Sequence, residues 1–110
     1  SFPIWWSAEP AILKGFIDRT FTPRFAYRFA DGKSEPKLTG KTAALILTCR
    51  APAFFYRLYG GPITRWKRMV LGFVGIRLTD TFILGKIDYP QDTPEYRAEF
   101  VESIRRYARR

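Results

Sequence analysis

The chain contains no histidine and only one cysteine among its 110 residues. Without an imidazole it lacks the general base of a histidine-dependent catalytic triad and the ligands of a histidine-based zinc site. A single cysteine, Cys49, forms no internal disulfide and runs no dithiol cycle, which fits a reducing compartment. We therefore expect no metal site and a cytoplasmic location.

Long hydrophobic runs and acidic side chains are also scarce. No apolar run approaches the roughly 18 residues that cross a bilayer, so we expect no membrane insertion. We also expect no signal peptide, because Ser1-Phe2-Pro3 has neither a basic leader nor a cleavage site. Ten acidic residues against nineteen basic ones give a net charge of +9. That excess is typical of proteins with anionic partners, and equally of a solvated basic surface.

The pattern of apolar residues predicts an α/β protein. Thr42–Thr48 is almost continuously apolar, which favours a parallel strand buried on both faces over a buried helix. Ser1–Pro3 resembles the end of another strand. A less buried strand is predicted by the alternating residues Ile76, Leu78, Phe82 and Leu84.

Three helices are predicted between and after these strands. The first runs from about Pro10 to about Phe21 with Ser7 as its N-cap, the second from about Pro62 to Phe73, and the third begins after the N-cap Thr93. The apolar stripe of the first helix is Ile12, Leu13, Phe16, Ile17 and Phe21. That of the second is Ile63, Trp66, Val70, Phe73 and Val74, and that of the third is Tyr96, Phe100, Ile104 and Tyr107.

The remaining segments are predicted as loops or short extended pieces. Phe25–Phe29 alternates as a strand or an extended arm, Ala30–Pro36 is a polar loop around Asp31-Gly32, and Tyr89–Asp92 is a turn. Cys49–Gly61 is predicted as an aromatic loop that follows the buried strand.

Two adjacent tryptophans, Trp5 and Trp6, stand just before the first helix. Such a pair suits a core poorly, because each indole N–H needs a partner when it is buried. It suits a flat apolar wall for a planar ligand. The order of strand end, aromatic loop and helix places this wall at the carboxyl edge of the sheet, where open α/β sheets bind ligands.

Three segments resemble the flavodoxin-like NAD(P)H-quinone oxidoreductase family: Phe2–Trp6, Pro10–Arg19 and Phe25–Tyr27. Pro52–Gly60 resembles a segment of one bacterial branch. The resemblance covers nearly all of the chain but only the carboxyl-terminal half of the family. It implies a flavodoxin-like three-layer α/β sandwich with a parallel sheet. Residues 1–110 would form its second half as a single domain, with the amino-terminal half missing and the isolated fragment inactive.

The resemblance implies a bound FMN or FAD between two walls, with NAD(P)H as co-substrate. The first wall is Phe2, Pro3, Ile4, Trp5 and Trp6, and the second is Thr48, Cys49, Arg50 and Ala51. The better-known quinone reductases have Thr-Gly-Gly in the second wall, so Arg50 and Ala51 depart from the pattern. Core packing beneath the first helix is the alternative for the tryptophans, and an ordinary strand end is the alternative for Thr48. Cys49 is a reactive thiol or, as we favour, a small buried hydrophobe.

Two tyrosines are the candidates for catalytic roles. Tyr27, with Phe29, matches aromatics that reach into the neighbouring active site in related dimeric enzymes, and Tyr56 would line the substrate mouth. Ordinary strand packing explains the first pair equally well. The cations Arg57, Arg65, Lys67 and Arg68 would meet an anionic dinucleotide or, as we favour, form a solvated helix face.

These observations favour a flavin-dependent oxidoreductase that passes a hydride from NAD(P)H through the flavin to a quinone-like acceptor, with a homodimer implied by the resemblance. The alternatives are a flavodoxin-like regulator that has lost its cofactor and a basic module that binds single-stranded nucleic acid. We expect no nucleic-acid partner, because Phe54 and Phe55 follow a buried strand and Tyr107 lies on an apolar stripe, as core residues do.

Overall fold

A computed structural model describes all residues from Ser1 to Arg110. It contains five strands, and their bounds are β1 Phe2–Pro3, β2 Tyr27–Ala30, β3 Lys33–Pro36, β4 Thr42–Thr48 and β5 Arg77–Leu84. The helical segments are α1 Ala11–Thr20, α2 Ala53–Tyr59, α3 Gly61–Arg65, a π-helical segment Trp66–Leu71, α4 Gly72–Val74 and α5 Pro94–Ala108. We call the continuous stretch from α3 to α4 the central helix.

Three of the strands form a parallel sheet in the order β1-β4-β5. Phe2 lies opposite Leu47, and Thr48 lies opposite Leu84. The α/β prediction is therefore confirmed, and the bounds predicted for β4 match those in the structure. Parallel strands need helical crossovers that cover the sheet faces, which is why β4 is apolar over its whole length.

The core lies between β4 and the central helix. Leu47 is fully buried, and Trp66, Val70 and Leu71 pack with it in one apolar cluster. The ring of Phe2 lies 5.1 Å from that of Trp66. The predicted stripe of the second helix is thus confirmed, and Gly75 ends that helix with φ of +93°, a left-handed conformation that glycine adopts readily.

Two predictions for α1 are wrong. Ser7 does not cap the helix, because α1 begins at Ala11 after Pro10 and has no side-chain cap; Ser7 instead lies in a tight turn with φ of +59°. Ile12 and Phe16 do not join the buried stripe but face outward, being 87% and 59% exposed. A ten-residue helix buries only a narrow stripe of side chains. Here Leu13, Ile17 and the following Phe21 pack against the hydrophobic core.

Two elements lie where loops were predicted. Within Cys49–Gly61, Ala53–Tyr59 forms α2, whose apolar residues surround the helix axis and therefore show no helical stripe. Phe54 and Phe55 lie on it and are 67% and 42% exposed, so their expected place in the core is wrong.

The second such element is β3, within the predicted polar loop Ala30–Pro36. It pairs with β2 across the Asp31-Gly32 turn, and Arg28 faces Glu35 as a cross-strand ion pair. Of the segment Phe25–Phe29, predicted as a strand or an extended arm, Tyr27–Phe29 lie in β2, and the Asp-Gly turn joins the two strands. A four-residue strand of polar side chains carries no hydrophobic pattern by which a sequence would reveal it.

The carboxyl-terminal helix forms as predicted. The Thr93 hydroxyl accepts a hydrogen bond from the Tyr96 backbone N–H at 3.2 Å, and Pro94 occupies the first helical position. The predicted stripe is only half-buried, and Tyr107 packs on Phe82 of β5 with ring centres 5.4 Å apart. None of the helices has the length and apolar character that crossing a membrane requires.

Candidate active site

A cleft of about 230 Å³ lies at the carboxyl edge of the parallel sheet. Pro3, Ile4 and Trp5 follow from β1 on one side of it. Thr48, Cys49 and Arg50 stand at the end of β4, and Ile87 and Asp88 come from the loop after β5. The cleft therefore gathers six of the nine residues predicted as cofactor-binding, from both predicted walls.

Backbone hydrogen bonds hold the three strand ends together. The Ile4 N–H donates to the Thr48 carbonyl at 2.8 Å, and the Cys49 N–H donates to the Leu84 carbonyl at 2.9 Å. The loop after β5 returns to the same place, because Lys86 N–H donates to Ala51 O at 3.1 Å. The cleft thus has a floor of fixed backbone, which preorganises it for a ligand.

Gly85 permits this close approach of the strand ends. A Cβ added there would lie 2.5 Å from the Ala53 nitrogen and 2.7 Å from the Ala51 carbonyl oxygen. Real Cβ atoms do not approach backbone atoms so closely, so any larger residue must push the β4 loop away from the end of β5.

The tryptophan wall is a two-residue turn. Trp5 and Ala8 exchange backbone hydrogen bonds of 2.9 and 3.0 Å, and the central residues Trp6 and Ser7 have φ of +51° and +59°. A bulky residue with positive φ is strained, at a cost of about 1 kcal/mol or more. Trp5, 60% exposed, lines the cleft, whereas Trp6 is fully exposed at the tip of the turn.

Glu9 anchors this turn from behind. Its side chain is buried and accepts hydrogen bonds from the Arg65 guanidinium and from Trp66 Nε1, the latter at 3.1 Å. Burial alone would raise the pKa of Glu9, but the hydrogen bonds from Arg65, from the Glu9 backbone and from Trp66 outweigh it and lower the pKa below its ordinary value. The loop that carries Trp5 is thereby fixed to the central helix.

Cys49 behaves as the small buried hydrophobe that the sequence favours. It is 6% exposed, and its thiol donates to the Ala51 carbonyl at 3.2 Å. Burial raises the pKa of the thiol, so it is not a reactive thiolate at neutral pH.

One lining residue has a backbone donor without a partner. The backbone N–H of Arg50 donates to no acceptor in the chain. Donors of this kind satisfy the ring nitrogens and carbonyl oxygens of a heterocycle. Arg50, which stands where the better-known enzymes have glycine, thus still presents a backbone donor on the second wall.

Three of the predicted cofactor contacts do not line the cleft. Phe2 is buried against Trp66 and supports the floor, and Trp6 extends into solvent. Ala51 lies behind the wall, where its carbonyl accepts the hydrogen bonds of Cys49 and Lys86.

Neither candidate catalytic tyrosine borders the cleft. Tyr27 lies on β2 with its ring 5.0 Å from Phe73 and 5.6 Å from Phe29, in a depression beside the central helix. Tyr56 is buried on α2 and lines a separate cavity near Arg57. Within one chain, the structure therefore does not bring either tyrosine to the predicted flavin walls.

Ile87 and Asp88 are the cleft residues that the sequence analysis missed. The sequence does contain a signal for them. Ile87 and Asp88 follow the end of the third predicted strand, just as the two predicted walls follow the ends of the other two strands. The loop is held by Asp92, which accepts the Asp88 N–H at 2.9 Å and both hydrogen bonds of the Arg97 guanidinium at 2.6 Å. The hydrogen bonds from Arg97 and from the Asp88 backbone lower the pKa of Asp92 to about 2.

Comparisons with known proteins agree with this architecture. A family profile described as "Flavodoxin-like fold" matches residues 1–108. The chain is 29% identical to the uncharacterized NAD(P)H oxidoreductase YcaK of Escherichia coli over 104 residues, which are 94% of this chain and 50% of that protein. It is 39% identical to NAD(P)H dehydrogenase [quinone] 1 of Cavia porcellus over 59 residues, 54% of this chain and 22% of that protein.

A solved structure gives the same result. A Streptococcus mutans protein matches with a TM-score of 0.71 and 35% identity, over 92% of this chain and 53% of that one. The predicted flavodoxin-like fold is confirmed. The chain spans about half the length of these relatives or less.

Proposed function

Because the chain belongs to the flavodoxin-like family, we propose that its cleft holds the ring of FMN or FAD in an NAD(P)H-dependent oxidoreductase. The observation that carries the proposal is the convergence of an exposed Trp5 with the Thr48–Arg50 wall around one cleft at the carboxyl edge of the sheet. Relatives named as NAD(P)H oxidoreductase and quinone dehydrogenase support the reaction class.

The residues present fit a flavin ring. Trp5 offers an indole face for stacking, and the free backbone N–H of Arg50 offers a donor for the ring edge. The cleft has no buried carboxylate to repel electron-rich oxygens; its single acidic lining residue, Asp88, is exposed. When bound, the flavin supplies the two-electron chemistry, accepting a hydride and passing it on.

The residues of this chain would bind and orient the flavin ring and exclude water from it. Trp5 covers the ring while Glu9 and the two-residue turn keep the indole in place. Ile4 and Ile87 add apolar surface that displaces water from the ring. Donor and acceptor would use the same face in turn, so we expect ping-pong kinetics with a quinone-type acceptor.

We also propose that residues 1–110 form the carboxyl-terminal part of one flavodoxin-like domain, in a cytoplasmic homodimer. β1 pairs with β4 on one side only, so its other edge is open to a further strand. In a dimer, Tyr27 of β2 would reach the partner's cleft. Tyr27 or water would deliver the proton that quinone reduction needs.

The visible absorption spectrum of the full-length protein tests the function. We expect flavin bands at roughly 375 and 450 nm that bleach when NADPH is added and return when a quinone follows. A protein that stays colourless after incubation with FMN and with FAD would contradict the proposal and favour a cofactor-less regulator.

A further inference from the structure

We propose that the cavity between α2 and the central helix binds the phosphate group of a phosphorylated small molecule. This cavity, the cationic cavity below, is lined by Arg57, Lys67 and Arg68 and has a volume of about 360 Å³. It shares no lining residue with the cleft at the sheet edge. The proposal does not depend on flavin binding.

The charges of the cationic cavity are uncompensated. No aspartate or glutamate lines it, and none of its three cations takes part in an ion pair of the chain. By contrast Arg65, on the same helix, is paired with the buried Glu9. Three unpaired cations around one concavity repel one another, and an anion removes that repulsion.

Neutral hydrogen-bond donors complete the lining. Thr64 and Thr81 contribute hydroxyls, and the buried Tyr56 ring lies beside them. Gly60, with φ of +75°, leaves room for Thr64, because a Cβ there would collide with the Thr64 hydroxyl. Guanidinium groups and hydroxyls together match a phosphate, which offers several acceptor oxygens to planar and point donors at once.

A π-helical turn positions the cations of the central helix. The π-helical segment Trp66–Leu71 contains Lys67 and Arg68, and the Gly72 N–H donates to the Lys67 carbonyl five residues earlier. A Cβ at Gly72 would collide with that carbonyl. π turns recur at functional sites, because they rotate side chains away from the α-helical register.

The volume favours a phosphate carried on a larger molecule over a bare ion. Two sources share this chemistry: the 2′-phosphate of an NADP-type dinucleotide, or an unrelated phosphomonoester. The binding experiment has one arm for each.

Isothermal titration of the full-length protein at low ionic strength tests the site, with inorganic phosphate and adenosine 2′-monophosphate as probes. The double variant Arg57→Gln/Arg68→Gln should raise the Kd of both probes about tenfold or more, because charge-assisted hydrogen bonds are lost. The control Lys33→Gln/Arg77→Gln makes the same change in net charge at exposed residues elsewhere, and should change the Kd less than about twofold. Equal losses in both variants, or no binding of either probe, would overturn the proposal.

The dinucleotide arm compares NADP⁺ with NAD⁺. If the 2′-phosphate is the natural occupant, Arg57→Gln/Arg68→Gln weakens NADP⁺ binding and leaves NAD⁺ unchanged. If both dinucleotides are unaffected while the phosphate probes are weakened, the site serves a separate phosphomonoester. Flavin absorbance of the same variant should equal that of the unmodified protein, which separates this proposal from the proposed function.

Gly72→Ala tests the π turn with the same probes. We expect a Kd about threefold higher for inorganic phosphate, since Lys67 moves while every cation remains, with helical circular dichroism retained. An unchanged Kd would remove the π turn from the account of the site.

Discussion

The cleft at the sheet edge and the cationic cavity differ in how they are built. The cleft is assembled from three chain segments far apart in sequence, joined by backbone hydrogen bonds such as Ile4 N–H to Thr48 O. The cavity is assembled mainly from α2 and the central helix, which adjoin in the chain and meet at Gly60-Gly61, and Thr81 of β5 adds one lining residue. The cleft offers an apolar face and a backbone donor, and the cavity offers long charged side chains.

The difference teaches what each region can recognise. A fixed backbone floor with one exposed indole selects for shape, and its affinity depends on preorganisation. Long cationic side chains select for charge, and their affinity falls with salt. Changes to the packing of the strand ends should therefore damage the cleft, whereas changes to charge should damage the cavity.

The largest expected effect comes from Gly85→Ala. The new Cβ would press on the backbone of Ala51 and Ala53, so we expect a loss of about 1–3 kcal/mol in the free energy of unfolding, as for other overpacked sites. Flavin affinity should fall because the β4 wall moves, while phosphate affinity should remain. Urea unfolding and the two binding titrations measure this. Gly15→Ala, where a Cβ meets nothing within 4 Å, is the matched control.

Glu9→Gln should have the next largest effect. The buried carboxylate loses its charge while Arg65 and Trp66 remain, which we expect to cost about 1–2 kcal/mol, reduced from the value for a fully buried pair because Arg65 is 37% exposed. The matched control is Asp18→Asn in the exposed Lys14–Asp18 pair, where the loss should stay within about 0.5 kcal/mol.

The pH dependence of this effect has a definite sign. The pKa of Glu9 is lowered in the folded protein, so its stabilisation is present above the ordinary carboxyl pKa near 4.5 and is lost as the pH falls below it. The stability difference between Glu9→Gln and the unmodified protein should therefore shrink on acidification. A difference that grows toward low pH would contradict the role given to Glu9.

Asp92→Asn should give the smallest effect. The folded-state pKa of Asp92 is about 2 against an ordinary 3.8, so its contribution is present above about pH 4 and disappears as the pH falls toward 2. We expect a lower Tm at neutral pH, converging with the unmodified protein near pH 2. Flavin affinity should change about twofold or less, because Asp92 itself does not line the cleft. The control for the Tm measurement is Glu99→Gln. Glu99 is an exposed carboxylate on α5, the helix that also carries Arg97.

How much of the fold is readable from the sequence depends on how each element is stabilised. β4 and α5 were predicted correctly, because a continuous apolar run and a Thr-Pro cap are local signals. α2 and β3 were missed, because the first carries apolar residues on every side and the second carries none in a pattern. Ser7 was assigned to a cap, although its segment closes a turn between Trp5 and Ala8.

In the candidate site, too, the sequence predicts some features and not others. Strand-end loops converge by the geometry of a parallel sheet, so the two walls of the cleft follow from placing β1 and β4 side by side. The partners of individual side chains do not follow: Arg65 was grouped with Lys67 and Arg68, yet it turns to the buried Glu9. That pairing depends on the position of the central helix relative to α1, and local sequence patterns do not predict this position.

Flavin titration of the full-length protein and its Trp5→Ala and Trp6→Ala variants tests the central claim most directly. Only Trp5 lines the cleft, whereas Trp6 extends into solvent. We expect Trp5→Ala to weaken FMN binding by about 1–3 kcal/mol, the range found when a stacking aromatic is removed, and Trp6→Ala to change it little. Equal affinities for the Trp5→Ala variant and the unmodified protein would show that the flavin, if bound at all, does not lie in this cleft.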